Sequence, residues 1–335
     1  MRRIATEEGF TIPELVEATI RYMKSHDDEP SLKARQETGD RPAKTDGWRS
    51  QLASLGEQRL KDMADAGIDA AVIMVGSPGV QLFEPSEGTE LARLINDRSA
   101  EAMRKYPGKF YPLAAMAPQD PEKAAQEFER AVKTLGLKGG IINSSTKGEY
   151  LEEPKFRPIL EVAQALDVPL YVHPREPSPG MYAPYVKHNL LGAIWGYAAE
   201  TGLQGVRMIM SGLFDELPGL QIVLGHCGES IPFYMDRLDI RYTVDGAPRK
   251  KLKLLPSEYV KRNFIITSSG VNWQPAVKFC QEVLGDGNVL FAADYPFEDA
   301  ADAVKRAEAI EMPAAAKEKF FFKNAERVFR IPTAS

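Results

Sequence analysis

The sequence predicts an α/β fold, a distorted (β/α)8 TIM barrel, as one domain over residues 1–335 with inserted loops at the catalytic face. Three observations predict it. Short apolar runs recur along the chain, each followed by a segment of helical pattern. The runs are near-continuously apolar rather than alternating, as in strands covered on both faces. Residues of metal-ligand type, Glu7, His173 and Asp294, each stand just past one of these runs, where barrels of this kind gather their chemistry.

The first run is Arg3-Ile4-Ala5-Thr6, and Asp69–Val75, Phe110–Ala115 and Lys138–Ile142 follow. The run from Pro169 ends at His173, the run from Leu220 ends at Gly225, and Phe264–Thr267 and Val289–Ala293 complete the set. Between them, Glu57–Ala66 carries Leu60, Met63 and Ala64 at helical spacing, with Gly67 as a stop. Pro121–Leu135 follows Asp120, a good N-cap, and ends at Gly136. Pro158–Leu166 and Pro275–Leu284 behave alike. A doubly wound sheet would keep the first and last strands apart. Glu7 and Asp294 can share one cation only if those strands are neighbours, which barrel closure supplies.

Two segments depart from the repeat. Residues 25–50 are polar and rich in Pro, Gly and charge; residues 176–190 hold several Pro and Gly with Met181, Tyr182 and Tyr185. Both follow strands at the catalytic face and are read as substrate loops.

Composition narrows the function. The chain has 335 residues, 44% of them hydrophobic, and a formal net charge of −5. The run Arg249-Lys250-Lys251-Leu252-Lys253 is too short to track a phosphate backbone, so no nucleic-acid partner is expected. No apolar run approaches the roughly 18 residues of a membrane span. Cys227 and Cys280 have neither a zinc-knuckle spacing nor a disulfide framework. With Met1-Arg2-Arg3 leading straight into a strand, the expectation is a soluble cytoplasmic protein.

The chemistry is expected at the strand ends. Adjacent residues of an extended chain face opposite ways, so Ala5 and Glu7 share one face and Ile4, Thr6 and Glu8 the other. Small Ala5 towards a crowded interior and Ile4 towards the helices turn Glu7 inward. A carboxylate there is costly unless paired or bound to a metal. His173 closes an apolar strand before a Pro-rich loop, and Asp294 lies beside Tyr295 and Pro296. One imidazole with two carboxylates, Glu7, His173 and Asp294, suits a divalent ion, Mn²⁺, Zn²⁺ or Fe²⁺, and leaves positions open for substrate. His226 and Glu229, three apart, come to one face if a helix starts there, as an acid–base pair. Arg237 on the next helix is placed to hold a substrate carboxylate.

Several strings carry a resemblance. Arg3-Ile4-Ala5-Thr6-Glu7-Glu8-Gly9-Phe10, Ser77-Pro78-Gly79-Val80-Gln81, Ala117-Pro118-Gln119-Asp120-Pro121, Gly225-His226-Cys227-Gly228-Glu229, Ala293-Asp294-Tyr295-Pro296 and Phe320-Phe321-Phe322-Lys323-Asn324-Ala325-Glu326 occur in one order. The set resembles the amidohydrolase-superfamily aromatic acid decarboxylases, the group of γ-resorcylate, 2,3-dihydroxybenzoate and 5-carboxyvanillate decarboxylases; the opening is most similar to the last. The resemblance implies one divalent metal per chain, manganese first and zinc next, with no organic cofactor. It implies Glu7, His173 and Asp294 as ligands, His226 with Glu229 beside the metal, and Arg237 on the substrate. It implies a homodimer or homotetramer, and a substrate-contacting Arg in the first long loop, Arg41 or Arg49. One departure stands out: many superfamily members carry a second ligand two positions after the first, and here that residue is Gly9.

The function expected is metal-dependent, non-oxidative decarboxylation of an ortho-hydroxy aromatic acid. Asp294 would deliver the proton to the ring carbon bearing the carboxylate, and Phe10, Trp195, Tyr197, Tyr295 and Phe297 would line a slot for the ring. The alternatives are a metal-dependent hydrolase of a cyclic ester or amide, which the missing ligand at Gly9 disfavours, and a barrel that binds a ligand without turnover.

Overall fold

The structure is a computed structural model that describes residues 1–26, 42–244 and 251–333, with the side chains of 42–46 left aside. Strand β1 spans Ile4–Gly9, β2 Ala70–Met74, β3 Phe110–Pro112, β4 Ala114–Ala115 and β5 Gly140–Asn143. Then come β6 Leu170–His173, β7 Ile222–Leu224, β8 Phe264–Thr267 and β9 Val289–Leu290. Every pairing between these strands is parallel, in the orders β1-β2-β3 and β4-β5-β6-β7-β8-β9.

The single run expected over Phe110–Ala115 is two short strands, β3 and β4, and the physical reason is local. Pro112 has no N–H to give a ladder, and at this point the chain changes partner: Leu113 donates to Ile73 (2.9 Å) and Ala114 to Gly139 (2.8 Å). Counting β3 and β4 as one barrel strand, there are eight. At the other seam, the Thr6 N–H donates to the Phe291 carbonyl at 3.1 Å and its hydroxyl to the same oxygen at 2.7 Å. The first and last strands are therefore neighbours, as closure requires.

Apolar side chains divide into two layers. Ile4, Ala70, Val72, Met74, Tyr111, Ile141, Tyr171, Val223, Ile265 and Leu290 fill the barrel interior. A larger cluster, including Ala5, Ile73, Ile142, Val172 and Leu224, packs between strands and helices. Ile4 thus points inward and Ala5 outward, the reverse of the expected faces. Glu7 nevertheless faces inward, because the β1–β2 register shifts between Ala5 and Glu8. Such an irregularity resets the side-chain alternation.

The expected helices form. Glu57–Ala66 ends at Gly67 with φ 73°. The Asp120 side chain caps Pro121–Arg130 by accepting from the Lys123 N–H, a wider turn continues to Leu135, and Gly136 stops it at φ 80°. The 25–50 loop reading needs correction at its end: Pro42–Leu52 is helical, a proline opening it where a missing N–H costs nothing. The rest of that segment, residues 27–41 with Arg41, lies outside the described residues. The 176–190 segment is a loop carrying two short turns, Pro179–Met181 and Ala183–Val186. No described helix is long and apolar enough to cross a membrane.

Candidate active site

Four strand ends deliver the site. Glu7 is 1% exposed. Its Oε2 accepts from the Tyr171 hydroxyl and, at 3.0 Å, from the Thr267 hydroxyl. Its Oε1 has no hydrogen-bond partner although it is buried. Around that orphan oxygen stand His173 Nε2 at 3.7 Å and His226 Nε2 at 4.0 Å. His226 Nε2 is also 3.7 Å from Asp294 Oδ2. These separations are too long for hydrogen bonds and suit atoms that share a cation between them. Glu7, His226 and Asp294 each offer a ligand atom within 4.8 Å of the others'. That grouping differs in part from the expected Glu7, His173 and Asp294: His226 joins it, while His173 approaches through Glu7.

Both imidazoles are aimed from behind. His173 Nδ1 lies 2.9 Å from the Pro174 carbonyl, to which it can only donate, so Nε2 keeps its lone pair. His226 Nδ1 is 2.8 Å from Glu229 Oε1. A buried carboxylate without a partner, faced by two imidazole nitrogens and a second carboxylate, is the donor set of a divalent metal such as Mn²⁺ or Zn²⁺. The residues present therefore fit such an ion.

The His226–Glu229 contact is not helical, as had been expected. Residues His226, Cys227, Gly228, Glu229 and Ser230 all have positive φ, between 51° and 77°. One left-handed turn closes the pair instead. For L-residues that conformation costs about 1–2 kcal/mol each, and such strain collects at functional sites. Two glycines make room. An added Cβ at Gly225 would lie 2.6 Å and 2.9 Å from the Glu7 carboxylate oxygens; at Gly270, φ 60°, it would face His226 at 3.4 Å.

Burial sets the charges. It pushes Asp294 up to about 6, and it raises Glu229 despite the adjacent His226. Burial alone would lower His226, but the carboxylates of Glu229 and Glu7 outweigh it and raise the imidazole well above its usual range. Burial dominates at His173 and lowers it. For Glu7, burial works upward but His226, His173 and the Tyr171 hydroxyl overcome it, so it is lowered and held ionised.

The structure separates the remaining expected residues. Phe10 is 1% exposed and belongs to the layer between strands and helices, not to an open slot. Tyr295 is likewise turned away: Arg59 lies 3.9 Å from its ring centre, and its hydroxyl donates to Asp62 at 2.5 Å. Phe297 is half exposed and meets Trp48 edge-on, with ring centres 5.6 Å apart. Trp195 is exposed, and the Tyr197 hydroxyl donates to Glu176 at 3.2 Å. Arg237 and Arg49 are exposed on helices Ile231–Val244 and Pro42–Leu52. Beyond His173, a cavity of about 280 Å³ is lined by Arg175, Glu176, Pro177, Ser178 and Gln81 among others.

Sequence reasoning passed over Tyr171, Thr267 and Trp48. For Tyr171 a signal existed: it lies two positions before His173 and so shares its face of β6. Cys227 and Cys280, far apart in sequence, meet as buried free thiols, Cys280 Sγ lying 3.7 Å from the Cys227 carbonyl.

Known proteins resemble this chain in sequence and fold. The amidohydrolase family matches residues 42–331. The γ-resorcylate decarboxylase of Polaromonas sp. (strain JS666) is 35% identical over 293 residues, 84% of this chain and 90% of the relative. The crystal structure of 5-carboxyvanillate decarboxylase from Sphingomonas paucimobilis superposes with a TM-score of 0.94 at 40% identity, covering 99% of both chains. The 5-carboxyvanillate decarboxylase from Novosphingobium aromaticivorans, complexed with manganese and 4-hydroxy-3-methoxy-5-nitrobenzoic acid, gives 0.95 at 39% identity, over 98% of this chain and 96% of that one. The chain belongs to the amidohydrolase family, within reach of members that remove carboxylate from hydroxylated aromatic acids.

Proposed function

We propose that this protein is a metal-dependent aromatic acid decarboxylase, a carboxy-lyase that converts an ortho-hydroxy aromatic carboxylic acid to the phenol and CO₂. The observation that carries the reading is the orphan Glu7 Oε1 at the barrel mouth, faced by His173 and His226 with Asp294 alongside. Relatives named as decarboxylases of such acids support it. The 40% identity to a 5-carboxyvanillate decarboxylase favours a substrate of that type, with a methoxy or similar group on the ring.

Glu7, His173 and Asp294 would hold one divalent ion, manganese in the first place, with His226 beside it. When bound, the ion supplies Lewis acidity towards negative charge that develops on substrate oxygen. The protein residues do the rest. Asp294, which burial pushes up in the metal-free protein, is the carboxyl beside the ion that would carry the proton. It delivers a proton to the ring carbon that bears the carboxylate; C–C cleavage then releases CO₂ and restores aromaticity. His226, oriented by Glu229, manages the phenol proton. Trp195, Tyr197 and Phe297, with Trp48, form the wall for the ring, and Arg237 or Arg49 holds a carboxylate. Exposed Phe233, Tyr234, Ile240 and Val244 on helix Ile231–Val244 support a homodimer or homotetramer. A cytoplasmic location completes the reading.

The test is to follow CO₂ release from a panel of hydroxybenzoates by manganese-loaded protein, beside hydrolysis of cyclic esters and amides. CO₂ from ortho-hydroxy acids alone is expected. Ester or amide hydrolysis without CO₂ would replace the lyase by a hydrolase.

A further inference from the structure

Glu8 sits next to the orphan carboxylate but points the other way, and it is 2% exposed. Its two oxygens reach the far end of the chain. Oε1 accepts from the Ala293 N–H at 3.0 Å and Oε2 from the Tyr295 N–H at 3.3 Å. These are the residues on either side of Asp294, whose own φ is 68°. A non-glycine residue in that region persists only where its surroundings over-determine it. The same stretch is gripped elsewhere: Gly9 N–H donates to the Tyr295 carbonyl at 2.7 Å. Arg59, 1% exposed, donates to the Gly9 carbonyl at 3.0 Å, lies over the Tyr295 ring and attracts Glu8 electrostatically. Tyr295 in turn donates to Asp62, so the helix Glu57–Ala66 is tied to the exit of β9. None of these groups lies among those proposed to touch metal or substrate.

We propose that Glu8, backed by Arg59, is a positioning residue: it straddles Asp294 through the two flanking backbone N–H groups and holds that carboxylate in its left-handed conformation, aimed at the metal. The inference rests on the reading of Asp294 given above. It explains why two adjacent glutamates are needed at the end of β1. Glu7 offers a lone pair to the cation, and Glu8 orders the backbone of another ligand. Burial pushes Glu8 up to about 8, against the pull of Arg59 and the two N–H groups; the two donors facing its two oxygens are what a carboxylate accepts, and glutamine would turn its own N–H₂ towards one of them.

The experiment is a double-mutant cycle read by manganese affinity, with turnover and melting temperature alongside. Glu8→Gln is expected to weaken manganese binding about 10- to 100-fold, the usual range for groups that orient metal ligands, and to lower kcat more than it raises KM. In an Asp294→Asn background, the same Glu8→Gln change should leave manganese affinity nearly unaltered, because the ligand it positions is gone. An equal loss in both backgrounds would make Glu8 a merely structural residue and overturn the proposal. Should Asp294→Asn by itself alter neither affinity nor turnover, the assignment of Asp294 fails first, and the positioning role with it. Arg59→Lys keeps the charge but loses the flat guanidinium over Tyr295. It provides a milder variant with the same expected pattern should Glu8→Gln not fold.

Discussion

At the scale of single residues, the site works by leaving one oxygen unsatisfied. Tyr171 and Thr267 saturate one Glu7 oxygen and orient the other towards the imidazoles. Asp294→Asn removes the proposed proton carrier and ligand while keeping the shape. Turnover should fall by about 10²-fold or more with the melting temperature little changed; a near-normal rate would take Asp294 out of the chemistry. Gly225→Ala should weaken manganese binding by about 10-fold, since its Cβ would press on a carboxylate already fixed by two hydroxyls. Unchanged affinity would mean that Glu7 has room to retreat. Metal uptake should also depend on pH. Ligands bind deprotonated, and burial pushes Asp294 up to about 6 in the metal-free protein. Manganese affinity should therefore decline as pH falls through that value, with proton release on binding. Titrations from pH 5 to 8 would show it, and a flat profile would remove Asp294 from the ligand set.

At the scale of elements, two backbone irregularities create the site. The register shift in β1 turns Glu7 inward and Glu8 outward. The left-handed turn after β7 brings His226 onto Glu229. Gly228 is the residue in that turn that meets no penalty for its φ of 77°, and a Cβ there would lie 2.9 Å from Ile266 and 3.0 Å from Pro232. Gly228→Ala should cost about 1–3 kcal/mol of stability and separate the His226–Glu229 pair, seen as a lower melting temperature together with slower turnover. A stable, fully active variant would show that the turn has a relaxed alternative. Neither irregularity was legible beforehand. Alternation and helical spacing are rules for regular strands and helices, and both break where the chain is locally strained.

At the scale of the whole molecule, a cation held by Glu7, His173 and Asp294 would join residues from β1, β6 and the end of β9, so it should brace the barrel. Chelation should abolish turnover, manganese should restore it, and the melting temperature should climb with manganese concentration. At a free concentration 100 times the Kd the stabilisation is about 2.7 kcal/mol. A melting temperature indifferent to manganese would show that the three side chains do not meet on one ion.

Much of this was written in the chain itself. Apolar runs with helical segments between them specify the barrel, because hydrophobic burial on both strand faces is a local compositional signal. The positions of Glu7, His173, His226, Glu229 and Asp294 just past those runs are equally local. What only the tertiary structure decided is which side chains share space. Closure sets Thr6 against Phe291, His226 joins Glu7 and Asp294, Phe10 and Tyr295 withdraw into packing, and Glu8 reaches across to the Asp294 backbone. Those outcomes depend on strand register and on contacts between residues nearly three hundred positions apart, for which a linear pattern holds no coordinate.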